Sequence, residues 1–125
     1  MASELGEVSL GFFTLTPDRA GGGLTVRLSG TADMRAMEAL DRFLRQVHDE
    51  AQQRALPEVS VDMRPLEFMN SSCFKAFVAW IESDLELPEE RRYRIRFLSS
   101  PERRWQHRSL VALSCFATEL IHLQE

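Results

Sequence analysis

The sequence predicts an α/β fold: one mixed sheet of four to five strands, opened by a β-hairpin and continued by alternating helices and strands. Short segments with period-2 apolar alternation are interleaved with longer segments whose apolar residues recur every three or four positions. The resulting order is β-β-α-β-α-β-α-β, and its strand–helix–strand units imply parallel pairing. The 125 residues suit a single domain, 1–125, with no internal repeat.

"LGFFTLT" reads as the first strand and "GGG" at Gly21 to Gly23 as the turn after it. "LTVRLSG" then alternates, with Leu24, Val26 and Leu28 on one face and Thr25, Arg27 and Ser29 on the other. Over residues 34–55 the period changes: Met37, Leu40, Leu44 and Val47 make one helical stripe, Asp33 fits an N-cap and Pro57 a stop. "EVSVDM" is a central strand with Val59, Val61 and Met63 on one face. A second helix over residues 71–85 carries Phe74, Phe77, Val78 and Ile81 on one side. After a polar connection broken by Pro88, "YRIRFLS" is a strand with Ile95 and Phe97 inward. "SSPER" predicts a helix start, with Ser100 as cap and Pro101 at the first helical position, running towards Cys115. "ELIHLQ" closes the chain as a last strand. Three strands alternate in polarity, so helices are expected to cover one face of the sheet better than the other.

Composition narrows the function classes. The formal net charge of −4 argues against a general nucleic-acid binder. Fourteen of the fifteen basic residues are arginine. The basic and aromatic cluster "RRYRIR" and "ERRWQHR" could meet a nucleic acid, an acidic protein or a phosphoryl group, but "ESDLELPEE" just before it balances the charge and favours a solvated strand edge, with Trp105 partly in the core and its polar edge at the surface. The two cysteines, Cys73 and Cys115, form no CxxC and no zinc spacing. No apolar run approaches the roughly 20 residues that span a bilayer, and "MASELGEVSLGFF" lacks a leader's charged start and apolar core. A reduced, cytoplasmic protein is the simplest reading, and it leaves the "NSS" sequon empty.

One stretch stands apart. In "EFMNSSCFKAFVAWI", four small or polar residues interrupt an apolar run at Asn70, Ser71, Ser72 and Cys73. Capping chemistry alone prefers such residues at a helix start. The longer segment "VSVDMRPLEFMNSSCFKAFVAW" resembles the core of the STAS domain, the fold of bacterial anti-sigma-factor antagonists, in which a strand ending in aspartate leads through "V-x-F-M-D-S-S-G" into a helix. "LTVRLSGTAD" resembles the family's second strand and its "G-E-L-D" ending, with Gly30 and Asp33 matching. "LVALSCFATELIHL" resembles the terminal "L-x-x-S-G-L" helix and strand, with Ser114 matching.

The resemblance implies a protein-binding regulator without enzymatic activity, working by partner switching. It implies phosphorylation of Ser71, with Ser72 as the alternative acceptor, by an anti-sigma-factor-like serine kinase, and resetting by a metal-dependent phosphatase. It places the partner surface at Asp33, Asn70, Ser71, Ser72, Cys73 and Lys75. Two positions depart from the motif: Asn70 keeps the capping ability of aspartate without its charge, and Cys73 replaces a glycine. The added side chain is expected to narrow the surface a partner approaches, and a thiol at a helix N-terminus could sense oxidants, although free cysteine is more often a small buried apolar residue. The second glycine position is also a cysteine, Cys115. Two other readings remain: a constitutive scaffold without phosphorylation, and a small-ligand or nucleotide sensor, for which "AGGGL" is the only glycine-rich candidate and lies in a hairpin turn.

Other constellations are weak. His48, His107 and His122 lie on separate elements and share no metal-ligand spacing, so neither a metal nor a cofactor is expected. No "GxSxG" elbow is present. Phe12 and Phe13 face opposite sides of an extended segment, so one of them is expected to be exposed on the thin side of the sheet or covered by something, such as a homodimer contact.

Overall fold

The computed structural model describes residues 5–125. In chain order these form β1 (Val8–Ser9), β2 (Phe13–Asp18), β3 (Thr25–Ala32), α1 (Met37–Gln53), β4 (Glu58–Asp62), β5 (Leu66–Met69), α2 (Ser71–Leu85), β6 (Arg94–Leu98), α3 (Arg104–Ser114) and β7 (Ile121–Gln124). All seven strands join one mixed sheet along the path β1-β2-β3-β4-β6-β7, with β5 pairing the far end of β3. The opening pairs β1–β2 and β2–β3 are antiparallel, and β3–β4, β3–β5, β4–β6 and β6–β7 are parallel. The mixed α/β architecture is as predicted, and β4 is central. The described sheet has two strands more than expected. Both are short, and β5 has only Leu66 buried, so it carries no readable alternation.

Each crossover steps along the sheet in the same direction, β3 to β4 to β6 to β7. Right-handed connections therefore place all three helices on one face. Burial agrees: Leu15, Val26, Leu28, Val59, Val61, Ile95 and Phe97 are sealed against helices, while their neighbours Thr14, Thr25, Arg27 and Arg96 are not. On the open face Ser60 and Asp62 are nonetheless buried. Arg27 and Arg64 pair with Asp62, and Arg96 donates to the Ser60 hydroxyl.

Gly30 is the bend that makes room for β5. Its φ is +89°, and a β-carbon there would stand 2.2 Å from the Phe12 carbonyl oxygen. The ladder shifts register between Gly30 and Thr31, turning β3 from β4 to β5.

Three boundaries differ from expectation. The first long strand starts at Phe13, because Leu10 N–H folds back onto the Phe13 carbonyl at 2.9 Å. Asp33 caps a short 3-10 turn, Met34–Ala36, and α1 follows it. Met37 is 37% exposed, and the buried stripe of α1 is Leu40, Phe43, Leu44, Val47 and Ala51. Helix α3 begins at Arg104: Ser100 to Arg103 form a turn closed by Arg103 N–H on the Ser100 carbonyl at 3.0 Å. Ser100 caps nothing; its own N–H donates to the Gln106 side chain at 2.8 Å.

Candidate partner-binding site

The C-terminal ends of β3 and β5 bring Asp33 and the start of α2 together. Asn70 N–H donates to the Ala32 carbonyl at 2.9 Å, which ties the helix entrance to β3. The Asn70 side chain then accepts from Cys73 N–H at 2.9 Å, an N-cap that fixes where α2 begins. Ser71 is the first helical residue and is exposed. Ser72 is half-buried, and its hydroxyl donates to the Met34 sulfur at 3.2 Å. The Ser71 hydroxyl thus stands at the partly positive end of a helix, while the Ser72 hydroxyl is turned towards the start of α1.

Cys73 corrects its expectation. Its side chain is fully buried, with the thiol against the Asp33 carbonyl at 3.5 Å, so it does not line the surface a partner would meet. Burial, reinforced by the charge of Asp33, pushes the thiol up to about 11. That is the opposite of a reactive thiolate. Lys75 is exposed and reaches no carboxylate among the described residues. Asp33 is engaged locally: its carboxylate accepts Arg35 N–H at 2.9 Å and pairs with the Arg35 guanidinium at 2.7 Å. The hydrogen bond from Arg35 holds Asp33 below the usual carboxylate range. Arg35 in turn lies 3.8 Å over the Phe12 ring, so intramolecular stacking covers Phe12.

Sequence reasoning missed the apolar rim of this site. Met34 is 63% exposed and Phe68 49% exposed, and Met37 adds a third large exposed side chain. The signal available was "LEFM": Leu66 faces the core, so Phe68, two residues on in an extended strand, is in register for a face that the irregular end of β3 leaves open.

The other expectations resolve simply. Phe77 and Ile81 are buried, whereas Phe74 and Val78 are half-buried; the inner face of α2 is Cys73, Ala76, Phe77, Trp80, Ile81 and Asp84. His48 bonds the Tyr93 hydroxyl, which also accepts from the Trp80 ring N–H at 2.8 Å, and burial holds the imidazole below its ordinary range. His107 and His122 are exposed on different elements. The Trp105 ring N–H is buried with no partner among the described residues, contrary to the expected surface-facing edge. No helix of the described residues is long and apolar enough to cross a membrane.

No family model and no curated protein matches the chain. Its structure is similar to the crystal structure of an anti-sigma factor antagonist from Mycobacterium paratuberculosis, with a TM-score of 0.65 over 92% of this chain and 90% of that one, at 21% identity. The chain has the fold of an anti-sigma factor antagonist. It is the STAS-like architecture that the sequence resemblance implies. Within that antagonist fold, Asp33 and Asn70 to Lys75 gather at one end of the sheet, which is where the resemblance places the partner surface.

Proposed function

We propose that this chain is a regulatory protein-binding module of a partner-switching system, controlled by reversible phosphorylation of Ser71. One observation carries the reading: on the antagonist fold, an exposed serine opens a helix beside an apolar rim of Met34, Met37 and Phe68. Unmodified, this end offers exposed apolar area around a neutral hydroxyl. Phosphorylation adds a charge of about −1.5 to −2, which the helix end tolerates but an apolar contact must desolvate at a cost. The modified form therefore loses its partner while keeping its fold.

In this reading Asn70 sets the position of Ser71, Lys75 flanks it one turn along α2, and Ser72 is a secondary acceptor because its hydroxyl engages Met34. The partners are a serine kinase of the anti-sigma-factor type and a metal-dependent phosphatase, and the setting is the cytoplasm. Phosphopeptide mapping of protein from its native cells tests the acceptor, and calorimetric titration with the kinase tests the switch. Ser71→Asp is expected to weaken binding by at least about tenfold, or 1.4 kcal/mol, with the melting temperature preserved. Ser71→Ala binds and takes no phosphate. Absence of phosphate at Ser71, together with wild-type affinity of Ser71→Asp, would leave a constitutive scaffold in its place.

A further inference from the structure

The outer face of α3 carries basic residues with no acidic residue interleaved. From Arg103 to Thr118 the chain has no acidic residue, although it carries 19 acids in all. The inner face of α3 is Gln106, Leu110 and Leu113, all buried. Arg104, His107, Arg108, Val111 and Cys115 recur at helical spacing on the opposite side, and all are exposed. Val111 is 41% exposed and Phe116, just beyond the helix, 48%. The face thus has a basic N-terminal half and an apolar C-terminal half.

Intramolecular electrostatics give no reason for this arrangement. Among the described residues eight arginines reach a carboxylate, and the outward face of α1 interleaves its charges as Glu38–Arg42 and Asp41–Arg45 pairs. Among the described residues Arg103, Arg104 and Arg108 reach none, as do Arg91, Arg92 and Arg94. Arg91 and Arg92 are instead held by Gln52 and by backbone carbonyls, whereas the Arg103 guanidinium donates to the Arg64 carbonyl, at 3.2 Å, and the Arg104 and Arg108 side chains donate no hydrogen bond among the described residues. Arg103, at the N-cap, and Arg104, at the first helical position, also oppose the helix dipole, which disfavours cations in the first turn. A local electrostatic rule broken without a compensating contact marks a surface selected for something outside the chain.

We infer that the outer face of α3 is a docking surface for an acidic protein segment that also presents apolar side chains. The partner's carboxylates meet Arg104 and Arg108, and its apolar residues meet Val111 and Phe116. Charge complementarity fixes the sign of the partner. A nucleic acid fits less well, because the aromatic residue among the basic ones, Trp105, is half-buried and packed against the core and the basic half is short. A lipid surface fits less well, because the apolar face of α3 is already spent in the core. This surface is argued without Ser71 and stands or falls separately from the switch.

The test titrates the isotope-labelled full chain with a synthetic amphipathic peptide, glutamate on one face and leucine on the other, and follows backbone amide shifts. Shifts confined to residues 103–118 are expected, with affinity falling about tenfold between low and moderate salt as the charges are screened. Arg104→Glu with Arg108→Glu should abolish binding, Val111→Asp should weaken it, and both variants should keep the wild-type melting temperature. The lysine-for-glutamate peptide should not bind. The inference is overturned if the glutamate peptide shifts no amide of α3, or if the double variant binds it as well as wild type. It is equally overturned if a DNA duplex, phosphatidylglycerol vesicles or a second copy of this chain occupies the face more tightly than the peptide.

Discussion

Asp84 shows how a single buried atom sets a pH dependence. It sits on the inner face of α2, fully buried, with one carboxylate oxygen accepting Tyr93 N–H at 3.2 Å and the other without a partner. Burial pushes it up to about 6 from an ordinary 3.8. A raised folded-state pKa means that the native chain binds the proton more tightly than the unfolded one. Its contribution to stability is full below pH 3.8 and is lost as pH rises through 6. Asp84→Asn keeps an acceptor for Tyr93 and removes the charge. It is expected to stabilise the protein at pH 7.5 by up to about 3 kcal/mol, with no gain at pH 3.5, as read from urea midpoints at both pH values. Phe77 is the opposite case, an apolar residue that the sequence places correctly. It is sealed in the core with its ring edge-on to Phe97 at 5.9 Å between centroids. Phe77→Ala should cost about 3–5 kcal/mol in the same assay. The helical stripe made Phe77 legible, whereas nothing local says that Asp84, among the acids of "ESDLELPEE", turns inward. That depends on where β6 returns beneath α2.

Elements were legible wherever periodicity was long. Helices α1 and α2 and strands β3, β4 and β6 lie where the alternation puts them, within a few residues. The misplaced start of α3 has a clear cause. Ser-Pro-Glu is good capping chemistry, but Gln106 captures Ser100 N–H and so holds the segment in a turn for four more residues. The sequence predicts that α1 ends near Ala55 with Pro57 helping to stop it; the helix ends at Gln53, and the stop is made by Ala55. This residue has φ +50°, with Leu56 N–H on the Ala51 carbonyl at 2.9 Å and Ala55 N–H on Gln52 at 3.1 Å. These two bonds define a Schellman end, where glycine is the usual occupant and a β-carbon is strained. Ala55→Gly should therefore stabilise the protein by roughly 0.5–1 kcal/mol, seen as a higher urea midpoint at unchanged slope. A loss would mean that relief of strain is smaller than the added freedom of the unfolded chain.

At the scale of the molecule, the site depends on a path that sequence spacing does not reveal. The motif residues Asn70 to Lys75 were legible because a resemblance names them together. What holds them was not, because among the described residues β5 pairs only with β3 and has no second neighbour in the sheet. Its entrance is secured from α3 instead. Fully buried Gln106 donates to the Met63 carbonyl at 2.6 Å and the Leu66 carbonyl at 2.8 Å, while its oxygen accepts Ser100 N–H. One side chain thus joins the end of β4, the start of β5 and the loop after β6. The chain that leaves this junction runs through four residues of β5 into Asn70 and Ser71. Gln106→Met keeps the volume but removes the Gln106 bonds to the Leu66 carbonyl and the Ser100 N–H and leaves the Met63 carbonyl with Leu66 N–H alone; a buried group left unsatisfied costs about 1–3 kcal/mol. A loss of about 3 kcal/mol in global stability is expected, since partial rearrangement recovers some of the bonds. If the junction positions the site, the amides of Asn70 to Cys73 should also exchange with solvent faster than those of β6 by more than the global loss accounts for, because local opening adds to global unfolding. Equal acceleration across the sheet would mean that Gln106 supports the fold as a whole and the start of α2 is held by Asn70 alone.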